Sequence, residues 1–234
     1  MNKRLVVLTK SDKVGGWCIA GRELIGESLD YNLGNWIRPV VADGPIGNHQ
    51  CVLNDSSSVQ VLDIVEIPMA GPRPIKHQPE NYLIKEDVPW KKLGTMSPSA
   101  LRSFIERPDS LWWDPSAFPE YVTPHYVSNT LINQSLYIIK PDNLFLNLYR
   151  YGERNRTKAI FTHNGQSYQL QVTDPRVKSF TAGKFNTTSA TDVKIDLPNQ
   201  NDYFICISLA GLFEQQRKHY KLVASIIDPT GKLF

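Results

Sequence analysis

Between Phe145 and Lys158, aromatic and cationic side chains interleave: Phe145, Tyr149, Arg150 and Tyr151 are followed by Arg154, Arg156 and Lys158. Rings of this kind stack on nucleobases, each contact worth roughly 1–3 kcal/mol, while guanidinium and ammonium groups neutralise phosphates. Trp36 and Arg38 make a sparser version of the same pairing in NWIRPV, and Lys178, Phe180, Lys184 and Phe185 extend it downstream. The competing reading is structural, because aromatic residues on a barrel strand are more often core and arginines on a connection are ordinary surface. Alternation favours binding. Leu144, Leu146 and Leu148 fall on one face of a strand, which sets Phe145, Asn147, Tyr149 and Tyr151 on the other. If the leucines make the core, the tyrosines lie outside.

Other chemistries find weaker support. His77, Glu80 and Asn81 in HQPEN bring an imidazole and a carboxylate together, both competent for proton transfer. Pro79 interrupts any helix that would set His77 and Glu80 on one face, so a polar loop at a barrel mouth is the better expectation. Residues 16–23 carry the glycine spacing of a phosphate-binding loop, but Arg22 and Glu23 stand where Lys and Ser/Thr are needed. No GxSxG elbow or Cys/His signature marks a nucleophile. Asp142 in KPDN and Asp174 in TDP fit turn and helix capping without catalysis. Cys18, Cys51 and Cys206 are widely spaced, which predicts reduced thiols rather than a zinc site or disulfide framework. No metal and no cofactor are expected.

The elements that must position these residues read as β. Asn164-Gly165 is the pair a two-residue type I′ hairpin requires, and it predicts Phe161 opposite Tyr168, Ala159 opposite Leu170 and Lys158 opposite Gln171. Further strands are predicted at residues 5–8, 35–41, 60–69, 82–84, 193–197, 203–209 and 219–227, with the three arginines Arg150, Arg154 and Arg156 crowding a connection. Residues 17–25 suit a short helix despite Gly21, and GLFEQQRK a helical turn. Ser97 and Pro98 open a predicted helix over residues 98–107, and the stretch from there to about residue 130 lacks periodicity. Strands, aromatics and arginines together point to a small ligand-binding barrel.

The 234 residues carry 41% hydrophobic and 21% charged side chains, an ordinary globular composition, and a net charge of +3 permits a polyanionic partner without announcing one. The apolar run at residues 5–8 is too short for a secretory segment, and nothing approaches membrane-spanning length, so a cytoplasmic protein without a membrane partner is expected.

The ordered motifs RLVVLTKS, GGWCIAGRELIG, GNWIRPV, VLDIVEIPM, HQPENYLI, SLYIIKPDNL, YQLQVTDP and HYKLVASII resemble the dual OB-containing domain family of bacterial proteins, over nearly the whole chain. The resemblance implies an all-β fold with minor helix: two OB-like β-barrels, placed at residues 1–95 and 130–234, joined by a helix and connection at 96–129. It carries no catalytic residues. Its OB label suggests, by analogy of fold, a non-enzymatic module that binds single-stranded DNA or RNA. Two alternatives stand: an adaptor holding a protein partner within a bacterial, antiviral-defence assembly, and a nucleotide- or nucleic-acid-processing enzyme using His77, Glu80 and Asn81.

Overall fold

The computed structural model describes residues 1–26, 32–185, 192–198 and 202–231. The chain divides into two compact units, one of Met1–Ala100 with Ile132–Ser135, the other of Leu101–Leu131 with Leu136–Phe234. Residues 181–201 are a polar, small-residue-rich stretch that the sequence suggests is a loop around the strand at residues 193–197, and its residues 186–191 and 199–201 lie outside the described residues.

The first unit is built from β1 (Asn2–Lys13), β2 (Gly16–Ile25), β3 (Asn32–Val40), β4 (Asp63–Pro72), β5 (Asn81–Ile84) and β6 (Lys91–Thr95), with a 3₁₀ turn at His49–Cys51 between β3 and β4. The strands run in the order β1-β2-β3-β5-β4-β6, and β1 also pairs with β4, which closes a five-stranded ring. All contacts in the ring are antiparallel except β3 with β5, which is parallel. Leu5, Val7, Ile19, Ile37, Val65, Ile67, Met69 and Trp90 fill its interior. Each such side chain contributes about 1.5–3 kcal/mol by leaving water.

Residues 17–25, predicted as a short helix, are strand β2. The reason is Gly21: it faces Val7 across the β1–β2 ladder, and a side chain there would collide with the Val6 carbonyl oxygen. The glycine that weakens a helix is what lets two strands close up at a bulge between Val7 and Thr9.

The second unit contains β7 (Tyr121–Val122), α1 (Pro124–Asn129), β8 (Leu136–Ile139), β9 (Asn143–Tyr151), β10 (Arg154–His163), β11 (Gln166–Val172), α2 (Pro175–Thr181), β12 (Val193–Asp196), β13 (Phe204–Phe213) and β14 (Lys218–Ile227). Its order is β12-β9-β10-β11-β14-β13-β8, with β7 added to β14. β8 leads straight into β9 through Lys140, Pro141 and Asp142, so the path comes back to β9 through the chain rather than through pairing, and the proline explains the break in what is otherwise one strand. β11 and β14 run parallel and the rest antiparallel. Each unit thus has a three-stranded meander, a helical turn, and a hairpin whose last strand lies parallel to the third strand of the meander. That is the Greek-key arrangement of an OB barrel.

Leu144, Leu146 and Leu148 are fully buried, and Phe161 stacks on Tyr168 at 5.2 Å between centroids. The predicted hairpin register holds residue for residue, with Asn164 and Gly165 at φ of 49° and 76°. Asp174 caps α2 by accepting the Arg176 N–H at 2.9 Å, and its other oxygen accepts the Ile226 N–H at 3.0 Å.

Three local expectations change. The helix at residues 98–107 is a 3₁₀ segment, Pro98–Phe104. The connection that lacked periodicity contains β7 and α1, the latter capped by the Thr123 hydroxyl. GLFEQQRK belongs to a long β-hairpin that turns at Glu214–Arg217, not to a helix, and Arg217 takes a φ of 53°. Among the described residues no helix is long and apolar enough to cross a membrane.

Candidate nucleic-acid interface

Pairing carries the side-chain alternation of β9 across its neighbours. Lys194 of β12, Asn147 of β9, Lys158 of β10, Gln171 of β11 and Leu222 of β14 are consecutive direct partners, forming one row on the outer face of the second unit. Toward one side of this row Tyr149 faces Arg156 and Tyr151 faces Arg154; toward the other Phe145 faces both Ile160 and Asp196. The leucines of β9 point the opposite way into the core, so the predicted division of faces is what the strand adopts.

The arginines are not in a loose connection. β9 and β10 are joined by Gly152 and Glu153 alone, Gly152 at a φ of 59°, so Arg154 and Arg156 are strand residues with set directions. Tyr151 is 72% exposed and Arg154 is exposed, whereas Tyr149, Arg156 and Lys158 are half-buried. Arg150 is exposed too, but it pairs with Asn155 and shares the parity of the leucines, which places it on the other face from Tyr149 and Tyr151.

Hydrogen bonds and ring contacts within the face orient its side chains. The Tyr149 hydroxyl donates to Gln171 Oε1 at 2.9 Å, and Gln171 Nε2 donates to the Thr157 carbonyl at 2.9 Å, which fixes the ring's tilt. Burial raises the Tyr149 pKa despite the opposing pull of Arg156, so the hydroxyl remains a donor at neutral pH. Lys158 Nζ lies 5.4 Å from the Tyr149 ring centre and Lys194 Nζ 4.5 Å from that of Phe145. Acid is present at the margin: Asp192 accepts from Asn147 Nδ2 at 2.8 Å, and Asp196 pairs with Lys194 at 2.8 Å. Lys184 lies 4.2 Å from the Phe180 ring on a separate element, after β11.

Trp36 and Arg38 require correction as surface contacts. They are 3% and 2% exposed, leaving neither a ring face for a base nor a guanidinium for a phosphate. Arg38 instead makes a buried knot: Nε to Glu80 Oε1 at 3.0 Å, Nη1 to Cys18 Sγ at 2.8 Å and Nη2 to Ser135 Oγ at 2.8 Å. The Ser135 amide donates to Glu80 Oε2 at 3.2 Å and its hydroxyl to Glu80 Oε1, so the carboxylate is fully engaged. Burial works against the Arg38 charge, yet Cys18 and Glu80 outweigh it and raise its pKa. Nearby, the Arg22 guanidinium lies 5.7 Å from the Trp36 ring.

The same knot engages one member of the polar group His77, Glu80 and Asn81. Glu80 is 7% exposed and serves as the counter-ion of Arg38, Asn81 is 5% exposed, and His77 is half-buried in the segment between β4 and β5. Among the described residues no group of three or more His, Cys, Asp or Glu side chains is placed to hold a metal ion.

A family model, the dual OB-containing domain, matches residues 3–226. The chain belongs to the dual OB-containing domain family. No curated protein matches it. For this dual OB-containing domain the match and the strand order agree: the meander-plus-hairpin topology occurs in each unit. Pattern in the sequence did not flag Lys194, which stands far from β9 in the chain and joins the face only through the β12–β9 pairing.

Proposed function

We propose that this dual OB-containing domain is a non-enzymatic module that binds single-stranded nucleic acid on the outer face of β9, β10, β11 and β12. The observation that carries the reading is the face itself: Tyr149 and Tyr151 stand directly opposite Arg156 and Arg154, with Lys158 and Lys194 in the adjoining row. Tyr151, the most exposed of these rings, is the first stacking platform, and Tyr149, held by Gln171, is the second. Arg154, Arg156 and Lys158 supply phosphate contacts, with Lys194 shared between Asp196 and the ligand. Stacking on a π-face tolerates any base, so the expected preference is for strandedness rather than sequence.

The test is fluorescence-anisotropy titration of the whole chain with labelled single-stranded DNA, single-stranded RNA and duplex DNA across a salt series. Binding is expected to be saturable, to favour single strands and to weaken with salt. The triple variant Arg154→Ala, Arg156→Ala, Lys158→Ala should flatten the slope of log K against log salt by about 0.7 for each phosphate contact removed. A folded triple variant with the wild-type affinity and slope overturns the proposal, as does the absence of saturable binding by the wild type at low salt.

One observation favours a protein partner as a second reading. The first unit has a cleft of about 440 Å³ whose rim includes Val52, Val88, Pro89 and the carboxylates Glu86 and Asp87. Val52 and Val88 are 43% and 42% exposed, and Glu86 is held by Gln50 Nε2 at 2.9 Å. An apolar rim with carboxylates suits the stem and charge of a basic side chain. Recovery of a nuclease-insensitive complex that Glu86→Arg abolishes would support this adaptor role.

A further inference from the structure

A run of four aromatic rings lies on the second unit away from Tyr149 and Tyr151. Phe118 and Tyr121 have centroids 6.3 Å apart, Tyr121 and Tyr220 6.0 Å, and Tyr220 and Phe213 6.2 Å. The run is assembled by pairing, since Tyr121 of β7 faces Tyr220 of β14, and Lys218, two residues before Tyr220 on the same face, is partnered by Phe213 of β13. Its ends are the open part: Phe118 is 71% exposed and Phe213 44%.

Rings that served only to pack would be expected to end under cover, whereas this run has half-buried tyrosines at its centre and exposed phenylalanines at both ends, as a docking surface would. Two features identify the occupant. Lys218 Nζ sits 4.1 Å from the Tyr121 ring centre, and Arg217 adds a second cation at the hairpin turn, 4.0 Å from Glu214, so the tract pairs π-faces with positive charge. It also continues the face already described. The row of partners that runs through Lys158 and Gln171 reaches β14 at Leu222, whose side of the strand is also that of Tyr220 and Lys218.

We propose that Phe118, Tyr121, Tyr220 and Phe213 form a second stacking track for the same single-stranded nucleic acid, with Lys218 as a phosphate contact. The inference rests on the nucleic-acid reading above and adds that the strand crosses from β11 to β14, so that long ligands engage both tracks. Short ligands are held on the face of β9 and β10, where the cations are denser.

The double variant Phe118→Ala, Phe213→Ala, chosen because both rings are exposed, is compared with the wild type on oligonucleotides of about 6 and about 20 nucleotides, the first within the span of one barrel's site and the second beyond it. The expected result is a loss of about fivefold or more on the long ligand, with the short ligand and the salt slope unchanged. Lys218→Ala should separately flatten the long-ligand salt slope by about 0.7. Wild-type affinity of the double variant on the long ligand overturns the second track while leaving the first reading intact, provided the Arg154, Arg156 and Lys158 variant is impaired. If neither set of variants changes binding, both readings fall. Equal losses on both lengths would show that the rings act on the first face and would overturn a separate track. Capture of a protein by the wild type but not by the double variant, with nucleic-acid binding unaltered, would reassign the run to protein docking.

Discussion

Replacing Lys221 with methionine should stabilise the protein at neutral pH and progressively lose that advantage in alkali. Lys221 is 4% exposed on β14, and its ammonium lies 5.8 Å from the centre of the Tyr168 ring. Burial pushes its pKa from 10.5 down to about 8, against the pull of Glu120 and Asp114. In the unfolded chain the group returns to 10.5. Below pH 8 both states are charged, and the folded state bears the whole desolvation cost. Between about 8 and 10.5 the unfolded state holds the extra proton, so this residue makes stability rise with pH, and above 10.5 its cost vanishes. The drop from 10.5 to about 8, at 1.36 kcal/mol per pH unit, sets that cost at about 3 kcal/mol. Methionine has a similar length and no charge to desolvate. Asp114 should tolerate the loss: burial disfavours its charge, but the Thr123 amide and hydroxyl and the Ser116 amide outweigh this and keep its pKa low. Urea unfolding of both proteins at intervals from pH 6.5 to about 10.5 reports the difference, in which the titrations of the cysteines and tyrosines cancel. The gap should shrink by about 3 kcal/mol across that range. A gap independent of pH, or a variant less stable than the wild type at pH 7, would refute the argument.

Glu80→Ala should cost about 3–5 kcal/mol, measured by denaturant unfolding, because it strands the buried Arg38 charge, whereas Arg38→Met with Glu80→Met should recover much of that loss. Leu146→Ala should cost about 2–5 kcal/mol by emptying a fully buried core position, and Tyr151→Ala on the same strand should change stability by no more than about 0.5 kcal/mol while weakening nucleic-acid affinity. Asp174→Ala removes the α2 cap, the Arg176 ion pair at 2.7 Å and the acceptor for the Ile226 amide, and should lower stability by about 2 kcal/mol or more in thermal or chemical unfolding.

What could be read from the chain alone was what local rules govern. The leucine alternation of β9 and the Asn164-Gly165 turn each depend on a few adjacent residues, so the strand faces and the register of β10 with β11 follow directly. β2 escaped because its decisive contact, the close approach of Gly21 to Val6, is made across a ladder rather than along the chain. β7 is two residues long, too short for any period to show, yet it brings Tyr121 to Tyr220 and so completes the aromatic run. Alternation told which residues share a face but not which faces are covered, and that is why Trp36 and Arg38 looked like Tyr149 and Arg156.

The contrast between those two pairs bears on how an OB barrel acquires a job. Both are an aromatic ring and an arginine on barrel strands, Trp36 with Arg38 on β3 of the first unit and Tyr149 facing Arg156 on β9 and β10 of the second. In the first unit the guanidinium is spent on Glu80, Cys18 and Ser135, and removing its partner threatens the fold. In the second the rings and cations remain at the surface, so they can be altered without disturbing the leucine core behind them. A shared strand topology therefore does not imply a shared role. The physical difference is desolvation: a cation whose charge is already matched by a buried carboxylate has little to gain from a phosphate, whereas one held half in water beside a tyrosine gains both the phosphate and the stacked base. The first barrel's arginine secures the architecture, and the proposed nucleic-acid contacts belong to the second.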